Sequence, residues 1–137
     1  MVSGLKSLYK IGLIHNDLRP ENIWITGDGR VKLCGLDKAE RYDPFEKRTM
    51  YPQFAKNGYC PPDANHEVAR SGYKHDMWNL GVILYEMRFG RLPFGLDPQS
   101  ESYKENMLKG AFETWPEGAL VPIQITTLIQ ELLSIDS

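Results

Sequence analysis

The chain has 137 residues, 42% of them hydrophobic and 25% charged, with a formal net charge of -2. That is the composition of one globular domain with a real core, and it offers no basic excess for nucleic acid or an acidic membrane surface. No apolar run approaches the roughly 20 residues of a membrane-spanning helix, and the start "MVSGLKSLYK" lacks the layout of a signal peptide.

Leu5, Leu8 and Tyr9 fall at i, i+3 and i+4, which predicts a short helix closed by Gly12. "NIWI" and "RVKL", joined by "TGDG", predict a β-hairpin. Asp37 to Asp63 shows no sustained period and holds four prolines, so it reads as one long ordered loop, a length uncommon unless functional. "DMWNLGVILYEMRF", residues 76–89, is apolar nearly all round, which predicts a buried central helix, with Asp76 expected as its N-cap. A short helix is expected over Ser102 to Leu108, then loop through "TWPEGALVP". A last helix carries Ile125, Leu128, Ile129, Leu132 and Leu133 on one face. There is no repeat and no internal domain boundary. The expected fold is mainly α, with a central buried helix and one small β-hairpin.

The stretch "LIHNDLRPENIWI", Leu13 to Ile25, concentrates a His, two acids, an Arg and two Asn between apolar runs. Acids, amides and a guanidinium converging on one loop are what proton transfer and phosphate handling require, and they are also what loops use to satisfy their own backbone. Four segments then stand in a specific order: "HNDLRPEN", "KLCGLD", "YCPPD" and "DMWNLG". Together, across residues 5 to 135, they resemble the C-terminal lobe of the eukaryotic protein kinases, with residues 1–137 covering part of such a domain. His15 to Asn22 is similar to the H-R-D-L-K-P-E-N catalytic loop. Gly35-Leu36-Asp37 stands at Asp-Phe-Gly, Pro61-Pro62-Asp63 at Ala-Pro-Glu, and Asp76 to Gly81 at D-x-W-x-x-G.

The resemblance implies that Asp17 orients the substrate hydroxyl, Arg19 stands near the transferred phosphate and Asn22 holds a metal ion. It makes His15 and Asp76 structural and places Asp37, Thr49, Tyr51 and Asp63 on the activation segment. Trp24 falls at the floor of the adenine site. For that indole two readings stay open, filling the base pocket or ordinary core packing.

The departures point away from activity. Gly35 stands where the family carries its principal magnesium ligand and has no side chain, so no metal site is complete. Asp37 lies two residues on, and two extended residues span roughly 6–7 Å, so it is not expected to replace that ligand. Asn16 replaces an Arg that pairs with a phosphorylated activation segment, and an amide cannot make that charge-assisted contact with a phosphate on Tyr42, Thr49 or Tyr51. No Gly-rich loop and no strand lysine precede the loop, so the family's N-terminal lobe is absent from this sequence.

The expected function is therefore that of a pseudokinase lobe acting through protein binding or scaffolding, its partners a kinase or a kinase substrate. The resemblance, through the way that family docks its partners, implies contact surfaces at Lys38 to Tyr59 and around the helix near Ser102 to Leu108. The alternative is part of an ATP-dependent Ser/Thr-type kinase. No cofactor is expected for this chain alone, and ATP with magnesium for a longer active form. The three histidines, His15, His66 and His75, fit no common metal spacing. Cys34 and Cys60 form no disulfide framework, so the cytoplasm is the default compartment unless an upstream leader directs secretion. Degraded motifs with Pro61-Pro62 before an acid are loosely similar to rhoptry-type kinases.

Overall fold

The computed structural model describes residues 1–42, 58–62, 72–111 and 121–134. In chain order these form α1 (Val2–Lys10), β1 (Leu13–Ile14), β2 (Ile23–Ile25), β3 (Val31–Leu33), β4 (Glu40–Arg41), α2 (Gly72–Phe89), α3 (Glu101–Leu108) and α4 (Ile123–Leu132). Short 3-10 turns at Pro20–Asn22 and Leu36–Lys38 punctuate the segments between strands. The fold is mainly α, with two small antiparallel sheets among the described residues.

Helix α1 buries Leu5 and ends where Gly12, at φ +72°, takes a left-handed turn and donates its N–H to Tyr9 O at 3.0 Å. β2 and β3 form the expected hairpin, with Ile23 opposite Leu33, Trp24 opposite Lys32 and Ile25 opposite Val31. Its turn is closed by Thr26 N–H donating to Arg30 O at 2.9 Å, with Gly29 at φ +78°. A second pairing goes beyond the sequence expectation. Glu40–Arg41 lies antiparallel to Leu13–Ile14, so the stretch after Asp37 opens with a strand rather than as loop. Two residues are too short a run for periodicity to reveal, and their order comes from the partner strand.

Helix α2 is the centre of the molecule. Trp78, Val82, Ile83 and Tyr85 are buried on it, and the Trp78 ring stacks on Phe94 with centroids 5.6 Å apart. Phe94 in turn meets Tyr103 of α3 edge-on at 5.8 Å. Helix α3 begins at Glu101, one residue earlier than expected, because the Ser100 hydroxyl accepts the Tyr103 N–H. The expected N-cap of α2 is corrected. The helix starts at Gly72, a full turn before Asp76, so Asp76 lies inside it with its carboxylate turned to the loop after β1.

The buried face of α4 also differs from the periodic reading. Ile129 and Leu133 are buried with Thr126, whereas Ile125 and Leu128 are about two-fifths exposed. The cause is close approach. A Cβ on Gly81 of α2 would stand 2.9 Å from Leu132 Cβ and from Leu133 Cδ2, so α4 settles against a bare stretch of α2. Thr126 tolerates burial there because its hydroxyl donates to Ile123 O at 2.8 Å.

This packing can be tested at two positions. Gly81→Ala should destabilise the protein by about 1–3 kcal/mol through overpacking, although alanine is the better helix former by about 1 kcal/mol; denaturant unfolding gives the sign. The second position is His75, whose ring is 2% exposed and whose pKa is lowered to about 4 by burial. A lowered folded pKa makes its contribution complete above the unfolded value of 6.5 and loses it as pH falls toward 4. Wild type should lose about 3 kcal/mol across that window relative to His75→Leu, read from paired melting curves. Comparing the two chains isolates His75 from Asp76, whose raised pKa acts with opposite sign.

Candidate functional site

Three side chains of α1 and α2 shape the loop between β1 and β2. The Asp76 carboxylate accepts His15 N–H at 2.9 Å through one oxygen and Asn16 N–H at 2.9 Å through the other. Tyr9 of α1 donates its hydroxyl to the same group at 3.1 Å. One helical turn on, at i+3, Asn79 Nδ2 donates to Leu18 O at 3.0 Å. The loop is thus pinned twice to one face of α2. Burial holds the Asp76 carboxyl above its usual range, opposed by the hydrogen bonds it accepts. Burial and the Asp76 charge push the Tyr9 hydroxyl far above its ordinary value.

His15 is fully buried, and its two ring nitrogens face different segments. Asp17 N–H donates to Nδ1 at 3.3 Å, so Nε2 carries the proton and donates to Cys34 O at 2.9 Å. One imidazole thereby fixes the loop to the end of β3. Asn16 sits at φ +62°, a left-handed conformation that asparagine adopts more readily than most residues. Its amide donates to Lys38 O at 3.2 Å and to Glu40 Oε2 at 3.4 Å.

The result is a convergence around Asp17, which is 7% exposed. Arg19 Nε stands 3.5 Å from its Oδ1, and Lys38 Nζ stands 3.8 Å from its Oδ2. Asn22 Nδ2 donates to the Asp17 carbonyl at 2.7 Å and to Oδ2 at 3.1 Å. Glu21 lies at the edge, 3.9 Å from Arg19 Nε. The structure therefore brings His15, Asp17, Arg19, Asn22, Gly35 and Asp76 together. Trp24 is elsewhere. It is 64% exposed on the hairpin, so among the described residues it is not packed in the core. Asp37 is exposed, and the side chain from that turn that reaches the loop is the next one, Lys38. Thr49, Tyr51 and Asp63 lie outside the described residues, as does most of Lys38 to Tyr59. On α3, Tyr103 and Met107 face the core, leaving Leu108 half exposed.

Gly35 decides what the site can hold. It adopts φ +69°, and a Cβ built there would stand 2.6 Å from Asn22 Nδ2 and closer still to Asn22 Oδ1 and Cγ. The Asn22 amide fills the space a side chain at 35 would need, and two hydrogen bonds to Asp17 keep it there. Magnesium takes oxygen ligands in near-octahedral array, usually with a carboxylate pair or phosphates. Here one carboxylate is shared by two cations and an amide N–H, and its neighbour at position 35 supplies no atom. Among the described residues no group of three His, Cys, Asp or Glu side chains comes together. These residues do not fit the ion.

Lys38, Asn79 and the tethering amide of Asn16 escape the sequence reading. The i+3 spacing of Asp76 and Asn79 on a helix is a usable signal for the second. Lys38 has none, because its reach depends on the turn at Gly35.

Residues 1–137 match the family described as protein kinase domain. The chain is 34% identical over 138 residues to serine/threonine-protein kinase STK11 of Gallus gallus, covering 99% of this chain and 30% of that protein. It is 34% identical over 136 residues to serine/threonine-protein kinase sck2 of Schizosaccharomyces pombe, covering 98% and 20%. Sperm motility kinase 3A of Mus musculus is 27% identical over 135 residues, covering 98% and 25%. The chain thus spans less than a third of the length of these relatives.

Replacing Asp76 by Ala strands two loop N–H groups and the Tyr9 hydroxyl. At about 1–3 kcal/mol for each buried unpaired donor, the loss should be at least ~2 kcal/mol, with Asp76→Asn milder because one acceptor survives; urea unfolding of both variants measures it.

Proposed function

The chain belongs to the protein kinase family, and from that premise we propose that it is a pseudokinase segment, which keeps the family's loop as a shaped surface and acts by binding another protein. The partner proposed is a kinase or a kinase substrate, held in place rather than phosphorylated. The observation that carries this reading is the contact between Gly35 and Asn22. A position without a side chain is packed by an amide whose hydrogen bonds face Asp17. Charge stabilisation at the transferred phosphate contributes heavily to such catalysis, and its principal ligand is missing. Among the described residues no helix is long and apolar enough to cross a membrane.

A second reading, an ATP- and magnesium-dependent Ser/Thr-type kinase of which this is a part, draws on the convergence of Asp17, Arg19 and Asn22 and on relatives named serine/threonine-protein kinases. One assay separates the two. Full-length protein incubated with labelled ATP and magnesium should incorporate no phosphate, whether Asp17 is intact or changed to Ala. Magnesium-dependent incorporation that Asp17→Ala abolishes would establish the kinase instead.

The contact itself is testable by stability. Gly35→Ala should cost about 2 kcal/mol, from left-handed strain of about 1–2 kcal/mol and crowding of Asn22. Asn22→Ala removes the crowding, so the double variant should lose less than the sum of the singles.

A further inference from the structure

We propose that Tyr42, Tyr73 and Tyr9 form a three-ring latch, through which the chain leaving β4 sets how firmly Asp76 holds the loop. The latch belongs to the fold and does not depend on whether the loop binds a partner or transfers phosphate.

Tyr73 and Asp76 stand at i and i+3 on α2, so their side chains lie on one face of the helix, a turn apart. The Tyr73 ring meets the Tyr9 ring of α1 with centroids 4.4 Å apart and planes tilted by 60°. Tyr9 in turn donates its hydroxyl at 3.1 Å to Asp76 Oδ2, the oxygen that also accepts His15 N–H. Burial is the main reason that this hydroxyl stays protonated far above its ordinary range, and Tyr73 adds to it. Tyr73 thus fixes the ring whose hydroxyl completes the set of donors around the carboxylate.

Tyr42 completes the stack. Its ring centroid lies 4.4 Å from that of Tyr73, with the planes 34° apart. Backbone pairing puts it there: Glu40–Arg41 lies along Leu13–Ile14, and Tyr42 N–H donates to Gly12 O at 2.8 Å, one residue further on. Two attachments therefore run from this stretch to the loop. One is local, through the Asn16 amide on Lys38 and Glu40. The other is the side-chain relay from Tyr42 through Tyr73 and Tyr9 to Asp76, which holds the N–H groups of His15 and Asn16. Aromatic pairs contribute beyond the area they bury, so drawing Tyr42 off Tyr73 loosens the loop without touching Asp17. All three tyrosines are half-buried, which leaves the latch within reach of a partner protein.

The test is amide hydrogen exchange, followed by NMR on full-length protein. Tyr42→Leu removes the ring and leaves the backbone pairing. It should speed exchange of the His15 and Asn16 amides about three- to tenfold, the scale of one aromatic contact. The amides of α4 should keep their wild-type rates, and Tyr42→Phe, which retains the ring, should match wild type at His15 and Asn16. In a Tyr9→Phe background the hydroxyl link is already cut, so Tyr42→Leu should add less than it does in wild type. Unchanged exchange at His15 and Asn16 in Tyr42→Leu would mean that only the backbone and Asn16 tether the loop, which overturns the proposal. Equal acceleration in α4 overturns it as a global loss of stability, and full additivity with Tyr9→Phe as an effect that bypasses Tyr9. Should Tyr42→Leu not fold, the wild type decides: its Tyr42, His15 and Asn16 amides should share one opening free energy across a urea series, and separate openings reject the latch.

Discussion

The Asp76 carboxylate is buried inside α2 and accepts the backbone N–H groups of His15 and Asn16, residues 61 and 60 positions earlier in the chain. The first residues of the loop take their place from that attachment. With His15 N–H and Asn16 N–H tied, the His15 ring is set to receive Asp17 N–H on one side and to donate to Cys34 O on the other. Asn16 is left with its amide pointing at Lys38 and Glu40. A buried carboxylate satisfied by three donors is far better than one left alone, which is why the loop and the helix form one unit.

The unit's charges are balanced within the chain, by Arg19, Lys38 and Asn22 on Asp17, and its geometry is closed by the packing of Asn22 against Gly35. The Asn22 amide takes up the space that a side chain at position 35 would need, and its hydrogen bonds to Asp17 hold it there.

Much of the fold is legible in the sequence because long periodic stretches announce themselves. The all-round apolar run from Asp76 to Phe89 reads as a buried helix, and Thr-Gly-Asp-Gly between two β-type runs reads as a hairpin. Elements and ends set by tertiary partners are not legible. Glu40–Arg41 is a strand only because Leu13–Ile14 lies beside it, and the helix around Asp76 begins upstream of its apolar run, at Gly72. The face of α4 departs from its pattern because periodicity cannot see that Gly81 brings another helix within reach. In the site, Asp17, Asn22 and Gly35 are visible as motif positions. Lys38 is invisible, since only the left-handed turn at Gly35 carries it back to Asp17.

A loop around Asp17 that holds itself without a metal ion should ignore manganese, and manganese reports on that directly. Its unpaired electrons broaden the amide resonances of nearby residues in full-length, isotope-labelled protein, with or without a non-hydrolysable ATP analogue. Asp17, Asn22 and Gly35 should keep their signal intensity as manganese is added. Selective, saturable broadening centred on those three residues would contradict a metal-free loop.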